Sequence, residues 1–189
     1  MAQGATVDTE RPEDIAAIAA VHTTAFAALY EGGGPYEASV VDRLRRDGDL
    51  LLSLVVRDVG QDIDQGVGQR AGRVVGHVAF CRLLARRDGE TLSFVALAPL
   101  AILPSHHALG LGSALVRAGL SRLAALGIAA VVVRGHPDFY PRFGFSARLA
   151  DMLDAPWSGP TYMALELLPG AISRGRVHVQ YPKAFKLPE

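Results

Sequence analysis

Leu100-Ala101-Ile102-Leu103-Pro104-Ser105-His106-His107-Ala108-Leu109-Gly110-Leu111-Gly112-Ser113-Ala114-Leu115 is the stretch on which the fold turns. It begins as the end of an apolar strand, breaks at Pro104, passes through a glycine-containing turn and enters a helix predicted from about Gly110 to Leu126. Leu115, Val116, Gly119, Leu120 and Leu123 recur at helical spacing and form the buried stripe of that helix, and Gly127 stops it. A short buried strand, Ala129–Arg134, follows. Strand, helix and strand in succession mark an α/β domain.

Upstream, Arg11-Pro12 opens a helix in which Glu13 and Asp14 face the positive end of the dipole. Ile15, Ile18, His22, Ala25 and Leu29 form its apolar face, and Gly32-Gly33-Gly34-Pro35 ends it. A second helix is expected over Tyr36–Arg46, with Val40, Val41 and Leu44 inward. Strands are expected at Leu50–Val56, at Arg73–Arg82 and from about Thr91 through Leu92–Leu103, with Gly60–Gly72 an exposed loop and Asp88-Gly89 a hairpin turn. Pro99 lies inside the third strand and has no N–H for a ladder, so a bulge or splay is expected at Ala98–Leu100. Downstream, Phe143–Arg148 and Thr161–Leu168 read as two further strands, with a short tail from about residue 169. The expected architecture is a single α/β domain over residues 1–189, its mixed, splayed central sheet flanked by helices.

Composition narrows the function. Half of the 189 residues are apolar, and nineteen Lys and Arg balance nineteen Asp and Glu, so a folded core is expected without a basic field for nucleic acid or anionic membrane. Leu92–Leu103 is too short an apolar run to span a bilayer, and the first residues have no signal-peptide core. A cytoplasmic protein is expected. The lone Cys81 excludes an internal disulfide and a Cys-rich metal site, and reads as inert core. His22, on an apolar helix face, reads as a buried, hydrogen-bonded histidine. Asp58, Asp62 and Asp64 hint at a calcium loop, but the glutamate that such a loop needs eleven residues after Asp62 is Arg73. No metal is expected, the His106-His107 pair included, because sequence neighbours point apart.

The turn before the long helix carries the chemistry. The first amides of a helix have no internal partners, and the dipole places partial positive charge there. Gly110 and Gly112 allow close backbone approach, so the turn can cradle a pyrophosphate. It is not a Walker A loop, since Gly112 is followed by Ser113-Ala114 rather than Lys-Ser/Thr. Nor is it a dinucleotide fingerprint, whose third glycine would fall at Leu115.

At this point the chain resembles the GNAT N-acetyltransferase family, and within it the YhbS-like branch. The family's acyl-CoA signature, Gln/Arg-x-x-Gly-x-Gly/Ala after a splayed strand, reads here as His107-Ala108-Leu109-Gly110-Leu111-Gly112. The segment Gly135-His136-Pro137-Asp138-Phe139-Tyr140-Pro141-Arg142-Phe143-Gly144-Phe145 resembles a GHPxYYPRFGF motif of that branch, and the likeness runs over roughly residues 5–168. The resemblance implies acetyl-CoA as co-substrate, held by Leu100, Ala101 and Ile102 and by His107, Ala108, Leu109, Gly110, Leu111, Gly112 and Ser113. His107 departs from the pattern and removes a long donor side chain.

The resemblance further implies transfer of the acetyl group to a primary amine of a small molecule or peptide, with Tyr140 as general acid. A phenol with pKa of about 10 can protonate a thiolate whose acid titrates near 8.5. For the base, His136, Glu37, Glu90 and a water chain stay open. Arg82, Arg86 and Arg87 read as a solvated strand end, and Trp157 either lines the acceptor pocket or anchors a loop. A free edge at the terminal strands would permit a homodimer. The alternative function is a non-catalytic acyl-CoA-binding module.

Overall fold

The long Val- and Phe-rich strand expected near the middle of the chain is the spine of the molecule. In the computed structural model, which describes residues 5–27, 29, 34–58 and 72–185, strand β3 runs from Arg73–Arg87, five residues beyond its expected end. One of its edges pairs from Gly76 to Arg87 with β4 (Glu90–Ile102), and the other is shared by β2 (Leu50–Asp58) and β8 (Val177–Gln180). The main path of the sheet is β1-β2-β3-β4-β5-β7, where β1 is Ala5–Thr9, β5 Ala130–Arg134 and β7 Tyr162–Glu166. β4 and β5 are parallel, as are β8 and the two-residue β6 (Leu153–Asp154), and every other pairing is antiparallel.

Alternation along β3 assigns the two faces. His77 reaches His22 of α1 (Ile15–Ala27) on one face. Phe80 lies on the other, under Gly119 of α3 (Leu111–Ala125). A Cβ at Gly119 would enter the Phe80 ring, so glycine is what lets α3 lie flat on the sheet. Phe80 is fully buried there, a contact of roughly 2–3 kcal/mol. α2 (Pro35–Arg46) packs beside α1 and sends Val40, Val41 and Leu44 into the core as expected.

Three readings need correction. β1 went unread, because Ala-Thr-Val-Asp-Thr carries little apolar signal. Phe143–Arg148 is not a strand. Tyr140–Phe143 is a short 3-10 turn closed by Gly144 at φ +93°, and Ser146 accepts a hydrogen bond from the Leu149 amide (3.2 Å), capping the short helix α4 (Ala147–Ala150). The residues after 169 are not a tail, since they carry β8 and bury Ile172, Val177, Val179 and Ala184. The loop expected at Gly60–Gly72, apart from Gly72, lies outside the described residues, as do Asp62, Asp64, Gly32 and Gly33. Among the described residues no helix is long and apolar enough to cross a membrane.

Candidate active site

Strands β4 and β5 pair only from Phe94↔Ala130 to Leu97↔Val133 and then diverge. The divergence begins where Pro99 was expected to disturb the ladder, and the β3–β4 register slips between Val78 and Phe80 on the opposite edge. Beyond Leu97 the β5-facing edge of β4 has no strand partner among the described residues. The gap opens into a cavity of about 1400 Å³. That exceeds the roughly 300–1,000 Å³ of a typical small-molecule site, so it has room for two reactants.

At one end of the cavity stands the start of α3. Ala108 (φ +61°) and Gly110 (φ +77°) turn the chain through left-handed backbone. The first amide of the helix to find a carbonyl is that of Ala114, on Gly110 O at 3.0 Å. Those of Leu111, Gly112 and Ser113 have no helical acceptor, and all three residues line the cavity with Leu100, Ile102, His107, Ala108 and Gly110. An array of unpaired amides at a helix N-terminus suits a phosphate group. Two expected residues lie elsewhere. Ala101 is buried, facing His77 across the ladder, and the Leu109 side chain is exposed outside the cavity. His107 donates from Nε2 to the Ile102 carbonyl (2.9 Å), so its ring ties the turn to the end of β4. His106 also lines the cavity and donates to Asp58 at 3.2 Å.

Tyr140 lies across the gap. Its ring packs edge-to-face on Phe139 (5.0 Å) and Phe145 (5.7 Å). It also lies so close over Gly135, the residue after β5, that any side chain there would enter the ring. Burial pushes its phenol above the ordinary value, so it stays protonated, a donor rather than an anion. Its hydroxyl has no hydrogen-bond partner among the described residues, and the residue lines the cavity.

The proposed bases separate. Glu37, in the first turn of α2, is buried on the cavity wall, and its Oε2 accepts the Gly34 amide at 2.9 Å. His136 stands at the rim, three-quarters exposed, with Asp138 at 3.7 Å. Glu90 begins β4 at the far hairpin, about 30 Å along the strand from Leu100, and is no part of the site.

A second group of lining residues was largely missed from sequence. Trp157 lines the cavity, joined by Tyr36, Tyr181 and Phe185. Tyr181 meets Trp157 (4.6 Å) and Phe185 (5.5 Å) edge-to-face. The segment bearing the last two is shaped from Glu166, whose carboxylate accepts the amides of Gly170 (3.2 Å), Ile172 (2.6 Å) and Ser173 (2.6 Å). Arg87 adds two hydrogen bonds, to Gly170 and Ala171 carbonyls (3.1 Å each). The sequence signal was present in the spacing of Tyr181 and Phe185 near the C-terminus, but nothing local showed where they fold back.

His22 is a core histidine, as expected, at the end of a buried polar chain. Arg45 fixes Glu10 with two bonds (2.7 and 3.1 Å), and Glu10 as a carboxylate can only accept. Ser53 therefore donates to Glu10, His77 Nε2 donates to Ser53 (2.8 Å), and His22 Nε2 donates to His77 Nδ1 (2.7 Å). Burial alone would raise the Glu10 pKa, but the bonds from Arg45 and Ser53, with the polar His77 ring 3.7 Å away, outweigh it and bring it down to about 2. Burial lowers both histidines, so the pair is neutral. Cys81 is buried and its thiol is pushed up to about 12, inert as expected.

Comparison with known proteins agrees with this geometry. Residues 44–145 match the acetyltransferase (GNAT) family. An uncharacterised N-acetyltransferase of Escherichia coli K12, YhbS, is 40% identical over 123 residues, 65% of this chain and 66% of its own length, so the aligned stretch spans just under two thirds of that relative. The crystal structure of Escherichia coli YhbS in complex with CoA superposes with a TM-score of 0.80 at 33% identity, covering 99% of this chain and 96% of that one. A GNAT acetyltransferase from Brucella melitensis in complex with acetyl-CoA follows at TM-score 0.75 and 29% identity, over 96% of this chain and 98% of that one.

Proposed function

The chain belongs to the acetyltransferase (GNAT) family, and from that premise we propose that it moves the acetyl group of acetyl-CoA directly onto a primary amine. The observation that carries the reading is the opened edge of β4 flanked by the unpaired amides of Leu111, Gly112 and Ser113, in one cavity with Tyr140. Two solved relatives support it, one with CoA bound and one with acetyl-CoA. Acetyl-CoA supplies an activated acyl carbon and a thiolate leaving group. The amides at the start of α3 hold its phosphates, and the free edge of β4 near Leu100 offers backbone N–H to the carbonyl oxygen where negative charge develops.

The acceptor enters as an ammonium and must lose a proton to attack. Glu37 takes that proton, directly or through water, and His136 at the rim passes it to solvent. As the N–C bond forms and the C–S bond breaks, Tyr140 protonates the sulfur and is reprotonated, by way of water, by one of the two protons on the positively charged nitrogen, the other staying as the amide N–H. The sum is ammonium plus thioester giving amide, thiol and one released proton. The test is release of CoA thiol from acetyl-CoA in the presence of a broad panel of primary amines. Amine-dependent release is expected; tight binding of acetyl-CoA with no transfer to any amine would make the protein a binding module instead.

A further inference from the structure

The acceptor is defined so far only as a primary amine, and the aromatic residues of the cavity wall bear on its class. Tyr36, Trp157, Tyr181 and Phe185 are half-buried there, so their rings line space rather than fill a core. They pack together against the cluster that holds Val40, and Tyr36, Glu37 and Val40 share one face of α2. An apolar wall of four aromatics therefore lies next to a buried carboxylate. Among the described residues Glu37 is the one carboxylate on the cavity wall, whereas Arg134 stands over the Trp157 ring at 5.9 Å. A polycation would find a single counter-charge and a guanidinium beside it. An amine with one positive charge and a large apolar body would satisfy both features.

We propose that the acceptor is a primary monoamine carried on an aromatic group, an arylalkylamine, with its ring against Trp157 and Tyr181 and its nitrogen towards Glu37. This rests on the acetyltransferase reading and specifies its substrate class. Trp157 and Tyr181 are then specificity-determining residues, and the C-terminal segment held by Glu166 is part of the acceptor site.

The experiment compares 2-phenylethylamine and tryptamine with ethylamine, spermidine, kanamycin and a lysine-containing peptide at saturating acetyl-CoA, reading CoA thiol release. The arylalkylamines are expected to show kcat/KM at least about tenfold above each other amine, the worth of burying one ring. Trp157→Ala should raise KM for 2-phenylethylamine about tenfold, lower kcat/KM for 2-phenylethylamine about tenfold more than for ethylamine, and be largely rescued by Trp157→Phe. A preference for spermidine, kanamycin or the peptide would overturn the proposal, and so would an equal loss for all amines in Trp157→Ala. Calorimetric binding of 2-phenylethylamine to the CoA-loaded protein separates the two layers. Binding that is lost in Trp157→Ala but unaccompanied by transfer supports the aromatic subsite and contradicts the catalytic reading.

Discussion

At the scale of single residues, Tyr140 shows how packing sets chemistry. Gly135 has no side chain, which admits the ring against the end of β5, while Phe139 and Phe145 dry its sides. The resulting desolvation keeps the phenol neutral over the working pH range, the state that a general acid needs. Tyr140→Phe removes the hydroxyl and keeps the ring. It should lower kcat by about 10²-fold, within the usual worth of an acid–base group, with KM for acetyl-CoA changed less than about twofold. Unchanged turnover would remove Tyr140 from the mechanism. The His107 ring is engaged with the Ile102 carbonyl, so it ties the turn before α3 to the end of β4 and leaves the amides of Leu111, Gly112 and Ser113 without a helical acceptor.

Among elements, legibility followed locality. α1, α2, α3, β2, β4 and β5 were readable because each carries its own periodicity or apolar run, and Pro99 announced the divergence of β4 from β5. Phe143–Arg148 was misread because its apolar residues look like a strand, whereas Gly144 closes a 3-10 turn there and the Ser146 cap starts a short helix. β8 was invisible for a different reason. Its four residues owe their position to β3 and to a loop built on Glu166 and Arg87, contacts about 80 residues apart in sequence in the case of Arg87. The part of the cavity at the start of α3 sits on one local motif and was legible. The aromatic part is assembled from α2, the Trp157 loop and the C-terminal segment, and so was not.

Over the whole molecule, a polar chain from Arg45 through Glu10, Ser53 and His77 to His22 crosses the core and links its stability to pH. His22, His77 and Glu10 all hold protons more weakly when folded, so the unfolded chain binds more of them in acid. Their contribution is therefore complete above the unfolded values. It is expected to fall from about pH 6.5 as unfolded histidine protonates, and again between about 4.3 and 2 through Glu10. Tm should change little between pH 8 and about pH 7 on account of these groups and drop between about pH 6.5 and pH 5 in a melting series, and a Tm that stays level or rises over the lower range would contradict the neutral histidine pair. The central claim, that the amides opening α3 and the free edge of β4 form an acyl-CoA site, is tested most directly by thermal titration with acetyl-CoA, CoA and NAD. At about 100 times Kd a ligand adds about 2.7 kcal/mol, or roughly 5–11 °C for a chain of this size. A saturable rise of that order with both CoA species and none with NAD is the predicted result; folded protein whose Tm responds to neither CoA species would contradict it.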